Sequence, residues 1–234
     1  MNILTIDSSN EFLVLGAQSA TSSEKTMIKA GNRHSEFILP EIDNILKKIQ
    51  LNSVSELDMI AYNYGPGAFT GLRIGLGCAL GLAYTSNIPL AAIPSFFLYT
   101  CKESYKYRYL AVCLDARLNQ VYFAVIDQED FSYKINPCLI APEDIIQILE
   151  NNPLLNADNC WITGNGISGY SDKTNNLTNK FDYLHQEYPD ASRMLSLCNQ
   201  GHFQHFNCKN ADLMYIRDKV ALNLEEQRKS KTQQ

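Results

Sequence analysis

The 234-residue sequence lacks several features that would assign it to a class of protein at once. It has no strongly basic segment and a net charge of −5, so autonomous nucleic-acid binding, which needs clustered Lys and Arg, is not expected. No charged residue occurs between Arg73 and Lys102, but Pro89 and Pro94 break that stretch, and its helical part is too short to cross a bilayer. A secretory signal is not expected either, because no basic residues precede the first apolar run and Asp7 interrupts it.

Cysteine is present, but without a recognisable pairing or metal-binding pattern. The seven cysteines are scattered, no Cys-x-x-Cys occurs, and several lie in apolar runs, as reduced core thiols do. This usage predicts a reducing compartment and therefore a cytoplasmic protein. Cys198, His202, His205 and Cys208 lie close together in the sequence, yet their spacing matches no common zinc site, so no metal is expected.

The two halves of the chain begin with the same pattern. Residues 2–7 predict a buried strand that ends in Asp7, followed by a turn and a return strand, and residues 109–115 repeat this with Asp115. The duplicated β-β-β-α plan is that of actin-like, sugar-kinase and Hsp70-like ATPases, in which each strand-end acid faces a cleft between lobes. We therefore predict an α/β, actin-like fold of two lobes, each a mixed β-sheet with flanking helices. The two predicted lobes are residues 1–104 and 105–234.

Hydrophobic periodicity and turn residues predict the remaining elements. Apolar residues at helical spacing indicate a helix over 35–49, in which Pro40 predicts a kink or an irregular first turn. Asp190 is expected to cap a helix that ends near residue 202, and the polar residues 164–180 are predicted as a loop. Further strands are predicted at 12–15, 22–29, 57–63, 90–93, 121–126, 131–135 and 160–163, and further helices at about 70–85, from 94 toward 103 and from 142.

Residues 65–81 form the most distinctive segment, a glycine-rich turn that leads into a helix. Glycine in a helix interior costs about 1 kcal/mol relative to alanine, so this composition needs a compensating reason. Gly71, Gly75, Ala79 and Ala83 recur every four residues and would form a row of small side chains along one helix face. Such a row lets another backbone come close, and it predicts a helix against which its own chain or a second protein packs.

The start of this helix is a candidate anion site. Backbone amides at a helix N-terminus attract anions, and Arg73, predicted in the first turn, would oppose the helix dipole unless it met a carboxylate or phosphate. The alternative is a simple helix start with Thr70 as N-cap, since the spacing and lysine of a P-loop are missing. The GxGxxG match at 164–169 is followed by residues too polar for the packed helix that a dinucleotide site requires.

Asp7 and Asp115 are the candidate catalytic groups. If both faced a cleft between the lobes, they could hold a metal-bound nucleotide, and the chain would be an ATP-dependent, kinase-like enzyme. The turns that follow them contain no glycine that would let phosphates approach the backbone. Structural turn acids are therefore the alternative interpretation. No Ser/His/Asp or Cys/His arrangement identifies a nucleophile.

Five motifs, in the same order along nearly the whole chain, resemble those of one family. They are the acid-ended strand at 3–9, the His-Ser-Glu and Leu-Pro pair within 34–40, the glycine run at 65–75, the Asp-Ala-Arg turn and following strand at 115–122, and residues 211–217. They resemble the TsaB (YeaZ) family, with the glycine run and the Asp-Ala-Arg turn the most specific. The resemblance implies an actin-like two-lobed fold. It also implies a role in making N6-threonylcarbamoyladenosine at position 37 of tRNAs that read codons beginning with A.

The resemblance further implies a non-catalytic paralogue of the transferase TsaD, which it supports as a scaffold, with the ATPase TsaE joining the assembly. TsaD-like chains carry an HxxxH metal pair just after the strand that follows the glycine helix. Ser95 and Tyr99 stand at those places here, and neither is a usual transition-metal ligand. The resemblance thus implies no catalytic residue, no cofactor, contact with tRNA only through the complex, and no membrane association.

The resemblance and the small-residue row together predict a docking face on the helices at 35–49 and 70–85. TsaD would occupy this face, or a second copy of the chain in its absence, and Arg73 is expected to find a carboxylate across the interface. The predicted interface residues are His34, Phe37, Ile38, Glu41, Ile42, Ile45, Phe69, Thr70, Gly71, Arg73, Ile74, Gly75, Cys78 and Ala79. The residues predicted for a possible vestigial nucleotide cleft are Asp7, Ser8, Asp115 and Arg117.

Overall fold

Two mixed β-sheets with flanking helices make up the structure, a computed structural model that describes residues 1–100 and 107–217. The strands within these residues are β1 (Ile3–Asp7), β2 (Phe12–Gln18), β3 (Ser23–Lys29), β4 (Met59–Gly65), β5 (Leu90–Pro94), β6 (Tyr109–Asp115), β7 (Val121–Asp127), β8 (Tyr133–Ile140), β9 (Cys160–Thr163), β10 (Tyr183–Leu184) and β11 (Gln204–Phe206). The α-helices are α1 (His34–Lys48), α2 (Phe69–Tyr84), α3 (Ile145–Glu150), α4 (Asn165–Gly169), α5 (Ser171–Thr178) and α6 (Ala191–Gln200). The first sheet has the order β11-β5-β4-β1-β2-β3 and the second β10-β9-β6-β7-β8. The predicted α/β fold with two mixed sheets is confirmed.

The two sheets repeat one arrangement around an interior strand. β1 pairs antiparallel with β2 and parallel with β4, and β6 pairs antiparallel with β7 and parallel with β9. Both interior strands are mostly apolar, apart from Thr5 and the terminal acids, and are almost fully buried, as expected of strands covered on both faces. Asp7 and Asp115 end these strands at equivalent positions, as the duplicated pattern predicts.

Helices α1 and α2 cover one face of the first sheet, and α6 covers the other. Ile6 of β1 lies in the core cluster shared with α1 and α2, whereas Ile3, on the opposite face of the strand, lies in the cluster shared with α6. In the second sheet, helices α3 to α5 cover one face. On the opposite face, Leu110 of β6 packs with Phe96 and Tyr99, which belong to a short 3₁₀ turn of the first lobe. This apolar contact joins the two lobes.

The chain returns to the first lobe after the second sheet is complete. Helix α6 packs on β1 and β2, and β11 pairs antiparallel with the edge strand β5. The predicted second lobe, residues 105–234, therefore contributes its last helix and last strand to the first lobe, and the predicted boundary falls outside the described residues. This return is favourable for two reasons. Helix α6 buries an apolar face of the first sheet that would otherwise be exposed, and β11 supplies hydrogen bonds to its open edge strand.

Three predicted elements differ from the structure. The helix predicted from 94 toward 103 is a 3₁₀ turn, Ser95–Tyr99, that ends where Thr100 becomes extended, and residues 101–106 lie outside the described part of the chain. The loop predicted at 164–180 forms α4 and α5, whose few buried residues, among them Ile167 and Leu177, gave too weak a periodicity to see. The strand predicted at 131–135 runs instead over β8. None of the described helices has the length and apolar character that a bilayer crossing demands.

Candidate docking surface and interlobe cleft

Helix α2 starts two residues earlier than the cap prediction requires. Its N-cap is Ala68, whose side chain cannot cap, so the prediction of Thr70 as N-cap is wrong. Arg73 consequently lies beyond the first turn, where the field of the helix N-terminus has largely decayed. The unfavourable interaction between Arg73 and the helix dipole that the sequence predicts is therefore weak, because the helix begins further from Arg73.

The row of small residues on α2 faces the chain's own first sheet. This inward row consists of Gly71, Gly75, Ala79 and Ala83, all of which are buried. A Cβ at Gly71 would overlap the carbonyl oxygen of Ser8, and one at Gly75 would lie 2.6 Å from the Ser8 hydroxyl oxygen. That hydroxyl donates a hydrogen bond to the Gly71 carbonyl at 2.8 Å. The inward row thus lets α2 lie directly on the turn after β1, and of the two occupants that the sequence leaves open, the chain itself fills the space.

Half of the predicted interface residues are consequently in the interior. His34, for example, is buried with its Nε2 atom 3.3 Å from the carbonyl oxygen of Phe12. The buried members are His34, Ile38, Ile42, Ile45, Gly71, Gly75 and Ala79. The exposed or half-buried members are Phe37, Glu41, Phe69, Thr70, Arg73, Ile74 and Cys78. Only the second group can meet another molecule without rearrangement of this fold.

The outward face of α2 carries a second set of residues with the same four-residue spacing. Arg73, Gly77 and Gly81 are exposed, and Tyr84 at the end of the helix is 78% exposed. A Cβ at Gly77 or Gly81 would meet nothing within 4 Å. Arg73 is the sole charged residue in the helix sequence. The four-residue spacing of Gly77 and Gly81 from Arg73 is the sequence signal that places all three residues on one helix face.

Arg73 lies over an aromatic ring rather than against an acid. Its guanidinium carbon is 3.7 Å from the centroid of the Phe69 ring, and its Nε atom donates to the Tyr215 hydroxyl at 3.1 Å. The Phe69 and Tyr215 rings lie beside each other, with centroids 5.7 Å apart. Among residues 1–100 and 107–217, no carboxylate pairs with Arg73. The expected partner of this cation is therefore not found within the described part of the chain.

A cleft of about 1130 Å³ separates the two lobes, and the four predicted cleft residues divide into two pairs. Asp115 and Arg117 line the cleft, whereas Asp7 and Ser8 lie behind its wall. Asp7 Oδ1 accepts hydrogen bonds from the Ser9 amide at 2.8 Å and the Asn63 side-chain amide at 3.0 Å, while Oδ2 is buried with no hydrogen-bond partner among the described residues. Burial raises the pKa of Asp7 in spite of these hydrogen bonds.

Asp115 is engaged by its own turn. Its Oδ1 atom accepts the Arg117 amide at 2.8 Å and the Tyr170 hydroxyl at 3.0 Å, and the Arg117 guanidinium lies 3.2 Å from Oδ2. The Asp115 amide donates to the side chain of Asn165 at the start of α4. Gly164, just before this helix, has a positive φ and packs directly on the Cys113 backbone. The GxGxxG match therefore serves to bring α4 close to β6.

Ser95 and Tyr99, which the sequence resemblance compares with a histidine pair, are both hydrogen-bonded within the chain. The Ser95 hydroxyl lies 2.7 Å from the side-chain oxygen of Asn63 and 2.6 Å from the Pro66 carbonyl oxygen, and the Tyr99 hydroxyl donates to the Glu187 carbonyl at 3.1 Å. Within the described ranges, no group of three His, Cys, Asp or Glu residues could hold a metal ion. Of the residues considered for zinc, His202 stacks on the Phe131 ring.

Comparison with known proteins decides the family. The family model described as "TsaD: tRNA N6-adenosine threonylcarbamoyltransferase" matches residues 22–221. The tRNA threonylcarbamoyladenosine biosynthesis protein TsaB of Haemophilus influenzae is 30% identical over 237 aligned residues, which cover 94% of this chain and 95% of that protein. The chain belongs to the TsaB family. A second TsaB, from Escherichia coli, is 29% identical over 56% of this chain and 57% of its own length.

A transferase and a solved structure extend this relationship. The tRNA N6-adenosine threonylcarbamoyltransferase of Legionella pneumophila is 41% identical over 64 residues, which are 27% of this chain and 19% of that protein. A crystal structure from Pseudomonas aeruginosa, titled as similar to the peptidase YeaZ, superposes with a TM-score of 0.78 at 22% identity and covers 92% of this chain and 99% of its own. The TsaB family member described here shares that fold.

Proposed function

We propose that this TsaB family member acts in the biosynthesis of N6-threonylcarbamoyladenosine at adenine 37 of tRNAs that read codons beginning with A. In this proposal it is a non-catalytic scaffold that docks the transferase TsaD. The names of its TsaB relatives support the pathway, and the local likeness to a transferase supports descent from a common ancestor. TsaE joins the assembly, and tRNA is reached only through the complex.

The observation that carries the docking proposal is the outward face of α2. This face is uncharged apart from Arg73, and its two glycines leave the helix backbone open to solvent. A glycine in an exposed helix interior destabilises the free chain by about 1 kcal/mol and gives its own fold nothing in return. A partner helix that packs close to the backbone would compensate for that cost, with the half-buried Phe37, Ile74 and Cys78 alongside.

Two further observations support a scaffold without catalytic residues. Ser95 and Tyr99 replace a metal-binding histidine pair with side chains that are engaged in internal hydrogen bonds. Asp7 and Ser8 lie behind the cleft wall, out of reach of a bound molecule. In the absence of TsaD, a second copy of the chain would cover the outward face. The free cysteines of the described residues support a reducing, cytoplasmic location.

Bulky substitutions on the outward face test this proposal. Gly77→Trp and Gly81→Trp have room in the free chain, so they should preserve its circular dichroism without lowering its melting temperature, but abolish co-elution with TsaD in size-exclusion chromatography. Gly169→Trp is the matched control, because it alters an exposed helical glycine of the second lobe that also has open space. Unimpaired co-elution of both α2 variants would refute docking through this face.

The kinase-like alternative rests on the cleft between the lobes, where Asp115 and Arg117 are accessible. Calorimetric titration of the isolated chain with Mg·ATP separates the two functions. A scaffold should give no saturable heat. Micromolar binding that Asp115→Asn removes would favour the enzyme.

A further inference from the structure

The C-terminal strap, residues 212–217, runs from the first sheet across the start of α2 to the second lobe. Three hydrogen bonds hold it: the Tyr62 hydroxyl donates to the Asp212 carbonyl at 2.9 Å, the Met214 amide to the Tyr64 carbonyl at 2.8 Å, and the Arg217 guanidinium to the Ala116 carbonyl at 2.9 Å. Gly65 makes room for this path, because a Cβ there would lie 2.9 Å from the Met214 carbonyl oxygen. Tyr215 is thus held between anchors on both sides.

Tyr215 completes a cationic site that α2 alone would not form. The Arg73 socket consists of Phe69, Arg73 and Tyr215. The guanidinium lies over the Phe69 ring, and its Nε atom donates to the Tyr215 hydroxyl. The two terminal nitrogens have no hydrogen-bond partner among the described residues. All three side chains reach solvent, with Phe69 37% and Tyr215 45% exposed. A guanidinium fixed in this way presents its two terminal nitrogens as a ready bidentate donor.

We propose that the Arg73 socket binds an Asp or Glu side chain of the docked protein partner, and that the strap positions the socket through Tyr215. The inference rests on docking through the outward face of α2. It identifies the partner by charge complementarity, since Arg73 is the lone charge on a helix face that is otherwise uncharged. The flanking rings would exclude water from the ion pair. Because the Tyr215 contact already restricts the Arg73 side chain, less side-chain entropy is lost on binding.

Affinity measurements with purified TsaD at low and high salt test the two parts separately. Arg73→Ala should weaken binding by about ten- to a hundredfold and reduce the dependence of the dissociation constant on salt. Tyr215→Phe keeps the charge but releases the guanidinium, so it should weaken binding by about three- to tenfold with the salt dependence retained. Arg73→Lys should bind more weakly than the wild type, because an ammonium cannot form the bidentate contact.

Two controls keep this inference distinct from the docking proposal. Lys180→Ala removes one positive charge from the second lobe, where Lys180 pairs with Glu150, and should leave binding within about twofold. Gly77→Trp reports on the docking face itself. If Gly77→Trp loses binding while Arg73→Ala and Tyr215→Phe bind as the wild type does, the carboxylate inference fails and docking stands. If Gly77→Trp and Gly81→Trp both bind normally, the docking proposal fails as well.

Discussion

The two faces of helix α2 have similar residues and opposite surroundings. On the inward row, Gly71 and Gly75 touch the turn after β1 so closely that no Cβ fits without movement. On the outward face, Gly77 and Gly81 have nothing near them. The same residue type at the same spacing therefore serves internal packing on one side and leaves an open surface on the other. Glycine spacing alone therefore indicates that another segment can pack close to the helix backbone, but it does not show on which face of the helix that segment lies.

The largest change in stability that tests the difference between the two faces is expected at Gly71. Gly71→Ala should destabilise the fold by about 3 kcal/mol or more, because the new methyl group overlaps a backbone oxygen that cannot rotate away. Urea denaturation followed by circular dichroism measures the change. Helix propensity alone predicts a gain of about 1 kcal/mol, so an unchanged or increased stability would show that α2 does not lie on the Ser8 turn.

Gly75 should show a smaller loss with a defined cause. Gly75→Ala places a methyl group 2.6 Å from the Ser8 hydroxyl, which can rotate only by giving up its hydrogen bond to Gly71. We expect a loss of about 1 to 2 kcal/mol in chemical denaturation. In the Ser8→Ala background the same change should be nearly neutral, and additive losses in this double-mutant cycle would contradict the contact.

The outward glycines should respond with the opposite sign. Gly77→Ala and Gly81→Ala are each expected to stabilise the isolated chain by about 0.5 to 1 kcal/mol, because they add helix propensity without meeting any neighbour. Thermal and urea unfolding of the free chain measure the gain. A loss of stability at either position would mean that this face is already covered in the isolated chain.

Cys78 lies between the two faces of α2. The reactivity of its thiol should show how exposed this part of the helix is, without any change to the stability of the chain. Partial burial raises the pKa of its thiol to about 11. At about pH 8 only about one molecule in a thousand then carries the thiolate, so alkylation should be slow and accelerate about tenfold per pH unit. Peptide mass spectrometry of the native protein measures the rate, and urea should restore the reactivity of an ordinary thiol. Fast native alkylation would place Cys78 on the open face.

Local sequence patterns predicted those elements whose causes are local. The acid-ended strands at Asp7 and Asp115 follow from continuous apolar runs, and Asp190 caps α6 as expected, with its side chain accepting the Ser192 amide at 2.9 Å. Thr70 is not the cap because the helix has already begun: the Ala68 carbonyl accepts a hydrogen bond from the Leu72 amide, and the Ala68 amide donates one to the Ser9 carbonyl. Helices α4 and α5 escaped detection because few of their residues are buried.

The candidate site depended more heavily on contacts between distant parts of the chain. The four-residue spacing from Arg73 to Gly81 is visible in the sequence, but the placement of Tyr215 beside Arg73 is not, because 142 residues separate them. The division of the predicted interface into buried and exposed halves likewise depends on which face of α2 the first sheet takes. Both faces are apolar enough to be buried, so hydrophobicity could not choose between them.

The sequence by itself determined the duplicated strand plan, the glycine-rich helix and the family, because each is encoded by residues close together in the chain. Tertiary structure alone decided which glycines lie inside, that α6 and β11 return to the first sheet, and that the strap meets Arg73. The physical reason is that close packing and strand-edge pairing stabilise only complementary surfaces. These surfaces are formed by segments distant in the sequence, so their complementarity exists only in the folded chain.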